Sequence, residues 1–103
     1  MAEPEFRKVG RVEEIPPGTI RALEVDEHEI AIANVGGEFY ATQGHCLHLS
    51  GPLGEGRLEG KTLSCPWHGW QYDVTTGKNE FDHAIQLQRF EVKVEGGEVK
   101  VAI

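Results

Sequence analysis

The sequence predicts an all-β fold, an antiparallel β-sandwich or barrel with a loop-rich insertion near its middle. Two glycine pairs, Gly36-Gly37 and Gly96-Gly97, each separate two strand-like runs, the first preceded by a run rich in Ile, Val and Ala and the second by alternating apolar and polar residues, which is the pattern of a tight β-hairpin. The chain has 13 glycines among 103 residues, and no stretch repeats its apolar residues with a helical period. Together these features predict short strands joined by tight turns.

Four strands are predicted before the insertion, at residues 6–12, 19–25, 29–35 and 38–42. The segment Pro16-Pro17-Gly18 separates the first two, because consecutive prolines and glycine interrupt a strand. Asp26-Glu27 is a plausible turn after the second strand, and Gly36-Gly37 joins the last two in a hairpin.

The second hairpin lies near the end of the chain, where residues 90–95 and 98–102 flank Gly96-Gly97. The insertion between the hairpins covers residues 44–77, and residues 61–64 within it are a candidate strand. A chain of 103 residues is enough for one domain and too short for two. We therefore expect a single domain over residues 1–103.

Composition and charge exclude several classes of function. The net charge of −7 argues against a nucleic-acid partner. No apolar run approaches the roughly 20 residues of a membrane helix, and the first five residues do not resemble a signal peptide. We therefore expect a cytoplasmic protein without a membrane partner.

The charge is unevenly distributed. Residues 44–72 are neutral overall, so the excess of acidic residues lies outside the insertion. The acidic surface either is simply solvated or steers the protein toward a basic partner.

The insertion contains two closely spaced pairs of metal-binding residue types. Cys46-Leu47-His48 is followed, after sixteen residues, by Cys65-Pro66-Trp67-His68. Thiolate and neutral imidazole are good ligands for iron and zinc, and two short loops can enclose a metal centre from two sides. The alternatives are two buried structural cysteines with two surface histidines, or a disulfide between the cysteines.

The arrangement Cys-x-His, spacer, Cys-x-x-His resembles the Rieske motif. Residues 65–73, Cys-Pro-Trp-His-Gly-Trp-Gln-Tyr-Asp, closely match the second ligand loop of Rieske ferredoxins and ring-hydroxylating oxygenases. Residues 49–56 resemble the remainder of the first loop. The resemblance is sharpest over residues 39–77 and extends more loosely over nearly the whole chain.

The resemblance implies a Rieske fold, which has antiparallel sheets and a small cluster-binding subdomain, here at about residues 44–77. It also implies one [2Fe–2S] cluster, in which Cys46 and Cys65 bind the inner iron and His48 and His68 bind the outer iron. Two neutral imidazoles in place of two thiolates make such a cluster easier to reduce.

Several residues depart from the high-potential members of this family. Gly51 and Trp67 occupy the positions of two additional, disulfide-bonded cysteines, and Trp70 replaces a serine that donates a hydrogen bond to the cluster, whereas the corresponding tyrosine is retained as Tyr72. These departures indicate the lower-potential, ferredoxin-like branch. Residues 80–84, Glu-Phe-Asp-His-Ala, lack the prolines that are common there, so the resemblance does not predict the shape of this loop.

Three further histidines are present. His45 is adjacent to Cys46, but neighbouring residues rarely point at the same ion, so we do not expect it to be a ligand. His28 and His83 are expected at the surface. Trp67 and Trp70 could shield the cluster, form a docking surface or simply pack in the core.

The resemblance implies an electron carrier rather than an enzyme. Such a carrier receives electrons from a flavin-containing reductase and passes them to a terminal oxygenase. Two alternatives remain open at this point. The chain could be the small Rieske-like subunit of a cytoplasmic NADH-dependent nitrite reductase, or a zinc-bound interaction module without a redox role.

Overall fold

A computed structural model describes residues 6–25, 27–45, 52–66 and 69–102. Within these residues ten strands form three antiparallel sheets, with the orders β1-β10-β9, β2-β3-β4-β8 and β5-β6-β7. The strands are β1 (Phe6–Arg11), β2 (Ile20–Val25), β3 (His28–Val35), β4 (Glu38–Gln43), β5 (Arg57–Glu59), β6 (Thr62–Ser64), β7 (Gln71–Asp73), β8 (Arg89–Phe90), β9 (Val92–Glu95) and β10 (Glu98–Ala102). The all-β prediction is confirmed. Among the described residues, no helix is long and apolar enough to span a membrane.

Both predicted hairpins are present. Val35 pairs with Glu38 across Gly36-Gly37, and Glu95 pairs with Glu98 across Gly96-Gly97. All four glycines have positive φ, with values of 60° and 99° in the first turn and 56° and 78° in the second. Such two-residue turns require positive φ at both central positions, which explains why glycine occupies them.

The predicted 90–95 strand is divided in the structure. Phe90 in β8 pairs with Ala41 of β4, whereas Val92 in β9 pairs with Val101 of β10. The chain therefore changes sheets at Glu91. The insertion also contains more regular structure than expected, because the candidate strand at 61–64 is the central strand β6 of a complete three-stranded sheet.

Strand β3 is buried on both faces, which explains its continuous run of apolar residues. On one face Ile30 and Ile32 join the sandwich cluster, whose buried members are Ile15, Ile30, Ile32, Ala41, Val99 and Val101. On the other face Ala31 and Ala33 join the loop cluster, whose buried members are Ala31, Ala33, Leu53, Leu63, Cys65, Tyr72, Val74 and Leu87. The two clusters thus lie on opposite sides of one strand, and the loop cluster carries the insertion.

The insertion packs closely against the first half of the chain at a short 3₁₀ turn, Leu53–Glu55. A Cβ atom on Gly54 would lie only 2.3 Å from the Cβ atom of Ala22 in β2. The φ angle of Gly54 is not positive, so glycine is needed here for space rather than for backbone conformation.

We therefore predict that Gly54→Ala lowers the free energy of unfolding by about 1–3 kcal/mol, because the added methyl group forces the 3₁₀ turn away from β2. Urea denaturation measures the change. Gly10→Ala is the matched control, since a Cβ there would meet its nearest atom, Oε1 of Glu14, at 3.4 Å. Equal stability of the two variants would contradict the close packing at Gly54.

Candidate metal centre

Of the four predicted ligands, the structure describes one. Cys65 belongs to the described residues and is 2% exposed. The other three predicted ligands, Cys46, His48 and His68, lie outside the described residues. So do Gly51 and Trp67, which occupy the positions of the additional cysteines. The structure therefore reports on the bases of the two ligand loops rather than on their tips.

The second loop is closed at its base by a backbone hydrogen bond. Strands β6 and β7 pair through Ser64 and Gln71, and just beyond this pair the N–H of Cys65 donates to the carbonyl oxygen of Trp70 at 2.7 Å. Residues 65–70 thus connect the adjacent ends of two paired strands. Gly69, with a φ of 70°, supplies the left-handed conformation that returns the chain to β7.

The first loop is closed in a similar way. The carbonyl oxygen of Gly44 accepts a hydrogen bond from the N–H of Leu53 at 2.9 Å, and His45 and Pro52 form an isolated antiparallel bridge. The N–H of Gly44 donates to the carbonyl oxygen of Glu29 at 2.9 Å, which ties this base to β3. The described residues on either side of positions 46–51 are therefore held together and tied to β3.

The two loop bases share one apolar environment. Leu53, which follows the first loop, and Cys65, which begins the second, both belong to the loop cluster. Tyr72 is a fully buried member of the same cluster, and Trp70 packs against it. Of the three roles considered for Trp70, the structure thus supports core packing, and its backbone carbonyl closes the second loop.

These residues fit an iron–sulfur centre. A cysteine binds metal as its thiolate, and burying an anion in an apolar cluster is costly unless a cation is close to it. Cys65 is almost completely buried, and both loop bases are held by backbone hydrogen bonds, so a metal bound between the loops would offset that cost.

The remaining histidines lie at the surface, which was the expectation for His28 and His83. Nε2 of His45 lies 2.5 Å from Oε2 of Glu29, so this ring nitrogen is already engaged by a carboxylate. His28 and His83 are exposed.

Electrostatics hold the turn that follows β7. The carboxylate of Asp73 accepts hydrogen bonds from the N–H of Thr75 at 2.9 Å and from its hydroxyl at 2.5 Å, and it lies 3.4 Å from Nζ of Lys61. Burial alone would raise the pKa of Asp73, but the hydrogen bonds from Thr75 and the interaction with Lys61 outweigh it and hold the pKa below its usual value. Asp73 is therefore charged at neutral pH and fixes this turn beside the insertion's sheet.

The loop that lacks the family's prolines is shaped by side chains instead. Oδ1 of the buried Asn79 accepts hydrogen bonds from the N–H groups of Phe81 and Asp82 at 2.8 and 3.0 Å, and Oδ1 of Asp82 accepts one from the N–H of Ala84 at 3.0 Å. The N–H of Glu80 donates to the carbonyl oxygen of Gln71 at 2.9 Å, which attaches the loop to β7.

Sequence reasoning did not identify Asn79 as a structural residue. Asparagine often accepts hydrogen bonds from backbone groups two residues ahead, and this was the available signal.

Comparisons with known proteins agree with the motif and the fold. A family model described as Rieske [2Fe-2S] domain matches residues 5–91. The chain is 40% identical over 97 residues to ferredoxin CarAc of Metapseudomonas resinovorans, covering 92% of this chain and 91% of the relative. It is 36% identical over 89 residues to the ferredoxin component of the naphthalene 1,2-dioxygenase system of Pseudomonas aeruginosa, covering 85% and 86%.

A similar chain occurs in the solved structure of the complex of reduced oxygenase and oxidized ferredoxin in carbazole 1,9a-dioxygenase. One of its chains aligns with a TM-score of 0.86 and 39% sequence identity, covering 94% of this chain and 92% of that chain. Fold and sequence similarity thus extend over almost the whole length of both chains.

Asn79 generates a prediction for the loop beside the insertion. In Asn79→Ala the N–H groups of Phe81 and Asp82 lose their acceptor, so their hydrogen exchange should accelerate and the free energy of unfolding should fall by about 1–3 kcal/mol. Asp82→Ala, which removes only the exposed acceptor for Ala84, is the control and should affect exchange at Ala84 alone. Unchanged exchange at residues 81 and 82 in Asn79→Ala would contradict the assigned role.

Proposed function

Because the chain belongs to the Rieske [2Fe-2S] domain family, we propose that it is a ferredoxin that receives single electrons from a flavin-containing reductase and passes them to a terminal oxygenase. The observation that carries the proposal is the buried Cys65 at the base of a closed loop, next to the base of a second such loop. Relatives named as ferredoxin components, and a similar chain in a complex of oxygenase and ferredoxin, support the partner assignment.

The proposed ligands are Cys46 and Cys65 for the inner iron and His48 and His68 for the outer iron. Cys65 is buried within the loop cluster, which suits the inner position, since the inner iron is the one proposed to lie farther from solvent. When bound, the cluster supplies reversible uptake of one electron. The protein's own part is to hold the two loops together and to exclude water from the thiolate side.

The chain itself is proposed to be a carrier and not an enzyme, because the relatives are named as components of multicomponent systems. The same names favour a ferredoxin over a nitrite reductase subunit, and a [2Fe-2S] family disfavours the zinc module. We also propose one domain over residues 1–103, with its cluster-binding part at about residues 44–77, and a cytoplasmic location. Neither nucleic acid nor a membrane is a proposed partner.

The ligand assignment predicts which substitutions abolish the cluster. Cys46→Ala and Cys65→Ala should prevent assembly, because the chain has two cysteines and each thiolate has no substitute. Iron and acid-labile sulfide, at about two of each per chain, and the visible absorption spectrum measure the outcome. His45→Ala is the matched control; it should retain the cluster, since its ring contacts Glu29 at the surface. Stoichiometric zinc in protein made with sufficient iron would refute the assignment.

The carrier role predicts a strict requirement for partners. The oxygenase of carbazole 1,9a-dioxygenase, supplied with a flavin-containing reductase and NADH, should turn over only when this protein is added. The rate should fall with added salt if the net charge of −7 steers the protein toward basic partners, because 0.1 M salt screens charges beyond about 10 Å. Substrate turnover by this chain with NADH alone would disprove the carrier role.

A further inference from the structure

Gln43, the last residue of β4, joins two distant segments through its side chain. Its Oε1 accepts a hydrogen bond from the N–H of Gln88 at 2.8 Å, and its Nε2 donates to the carbonyl oxygen of His45 at 2.8 Å. Its own backbone N–H donates to the carbonyl oxygen of Gln88, also at 2.8 Å. Gln88 immediately precedes β8, so one end of the Gln43 amide is anchored to the sheet while the other holds the start of the first ligand loop.

The residue between these contacts has little freedom to move. Gly44 is held by backbone hydrogen bonds to Glu29 and Leu53, each 2.9 Å long. A Cβ atom on Gly44 would lie 2.9 Å from the carbonyl group of Glu29, so the chain at this point is pressed against β3. The backbone at Gly44 is thus fixed by main-chain contacts, and the carbonyl group of His45 is fixed by the Gln43 side chain.

We infer that Gln43 is a positioning residue for the cluster and acts through Cys46. A peptide unit is planar, so holding the carbonyl group of His45 also holds the plane of the peptide bond that leads into Cys46. Groups that orient a metal ligand without touching the metal commonly tune both affinity and potential. This inference rests on the proposed ligand Cys46, and its test distinguishes the two.

The chain offers a matched control in Gln86. Its Nε2 donates to the carbonyl oxygen of Thr76 at 2.7 Å, which is the same kind of contact in a turn that contains no proposed ligand. Gln43→Met and Gln86→Met each remove one hydrogen bond from a side-chain amide to a backbone carbonyl oxygen, with the same change in side-chain chemistry. Gln43→Met also removes the bond that Oε1 accepts from the N–H of Gln88, so a further variant separates the two contacts. Both methionine variants are compared with the parent protein after each has been loaded with its cluster.

The measurements are the rate of cluster release to a chelator, the electron paramagnetic resonance spectrum of the reduced protein and the midpoint potential. Gln43→Met should release the cluster roughly fivefold faster, the effect of about one net hydrogen bond, and should shift the spectrum and the potential. Gln86→Met should match the parent protein in all three. A parent-like Gln43→Met, or equal changes in both variants, would overturn the inference.

A second pair of variants separates the two contacts of Gln43. Gln43→Glu keeps an acceptor for the N–H of Gln88 but loses the donor to His45, and Gln86→Glu controls for the added charge. The spectrum of Gln43→Glu should change as in Gln43→Met. A parent-like spectrum in Gln43→Glu, or failure of both Gln43 variants to fold, would show that the residue serves the strand pairing instead, and would overturn the inference.

The ligand assignment is tested separately by Cys46→Ala. A cluster that assembles normally in Cys46→Ala refutes Cys46 as a ligand, whatever the Gln43 variants do. Loss of the cluster in Cys46→Ala together with a parent-like Gln43→Met leaves the ligand assignment in place and refutes only the positioning role.

Discussion

The burial of β3 on both faces is the constraint on which the rest of the fold depends. Its isoleucines fill the sandwich cluster and its alanines face the loop cluster, so one strand supports both halves of the molecule. The alternation is physical, because successive side chains in a strand point to opposite faces. Small residues on the loop side let the insertion lie directly against the sheet, and the absence of a side chain at Gly54 extends the same close approach to β2.

The candidate centre depends on this arrangement through Cys65. This residue is at once a member of the loop cluster and a proposed ligand, so the packing of the insertion and the placement of one thiolate are a single feature. The bases of both loops are held by backbone hydrogen bonds between described residues. The first loop has an additional restraint in the Gln43 side chain, whereas the second is restrained by the pairing of β6 with β7.

Features encoded by neighbouring residues could be predicted from the sequence, and features encoded by distant ones could not. The two hairpins follow from paired glycines, and the metal motif follows from the spacing of cysteine and histidine. The division between β8 and β9 depends instead on Val92 pairing with Val101 rather than with β4, which no local pattern reports. Likewise the side chain of Gln43 is hydrogen-bonded to Gln88, which lies 45 positions away in the chain. The three-residue strands β5 and β7 are too short to show an alternation of apolar and polar residues. Asn79 lies between these cases, since its contacts are local but equally compatible with an ordinary surface turn.

The separation of the two clusters has a consequence for the order of events during biosynthesis. The described members of the sandwich cluster include no proposed ligand, and the cluster is completed by Val99 and Val101 of β10, which follow both ligand loops in the chain. The frame that carries the loops therefore closes only after β10 has been synthesised. The loop cluster, which contains Leu53 and Cys65 from the bases of the two ligand loops, packs on the opposite face of β3. All four proposed ligands have thus been synthesised before the strand that completes the frame.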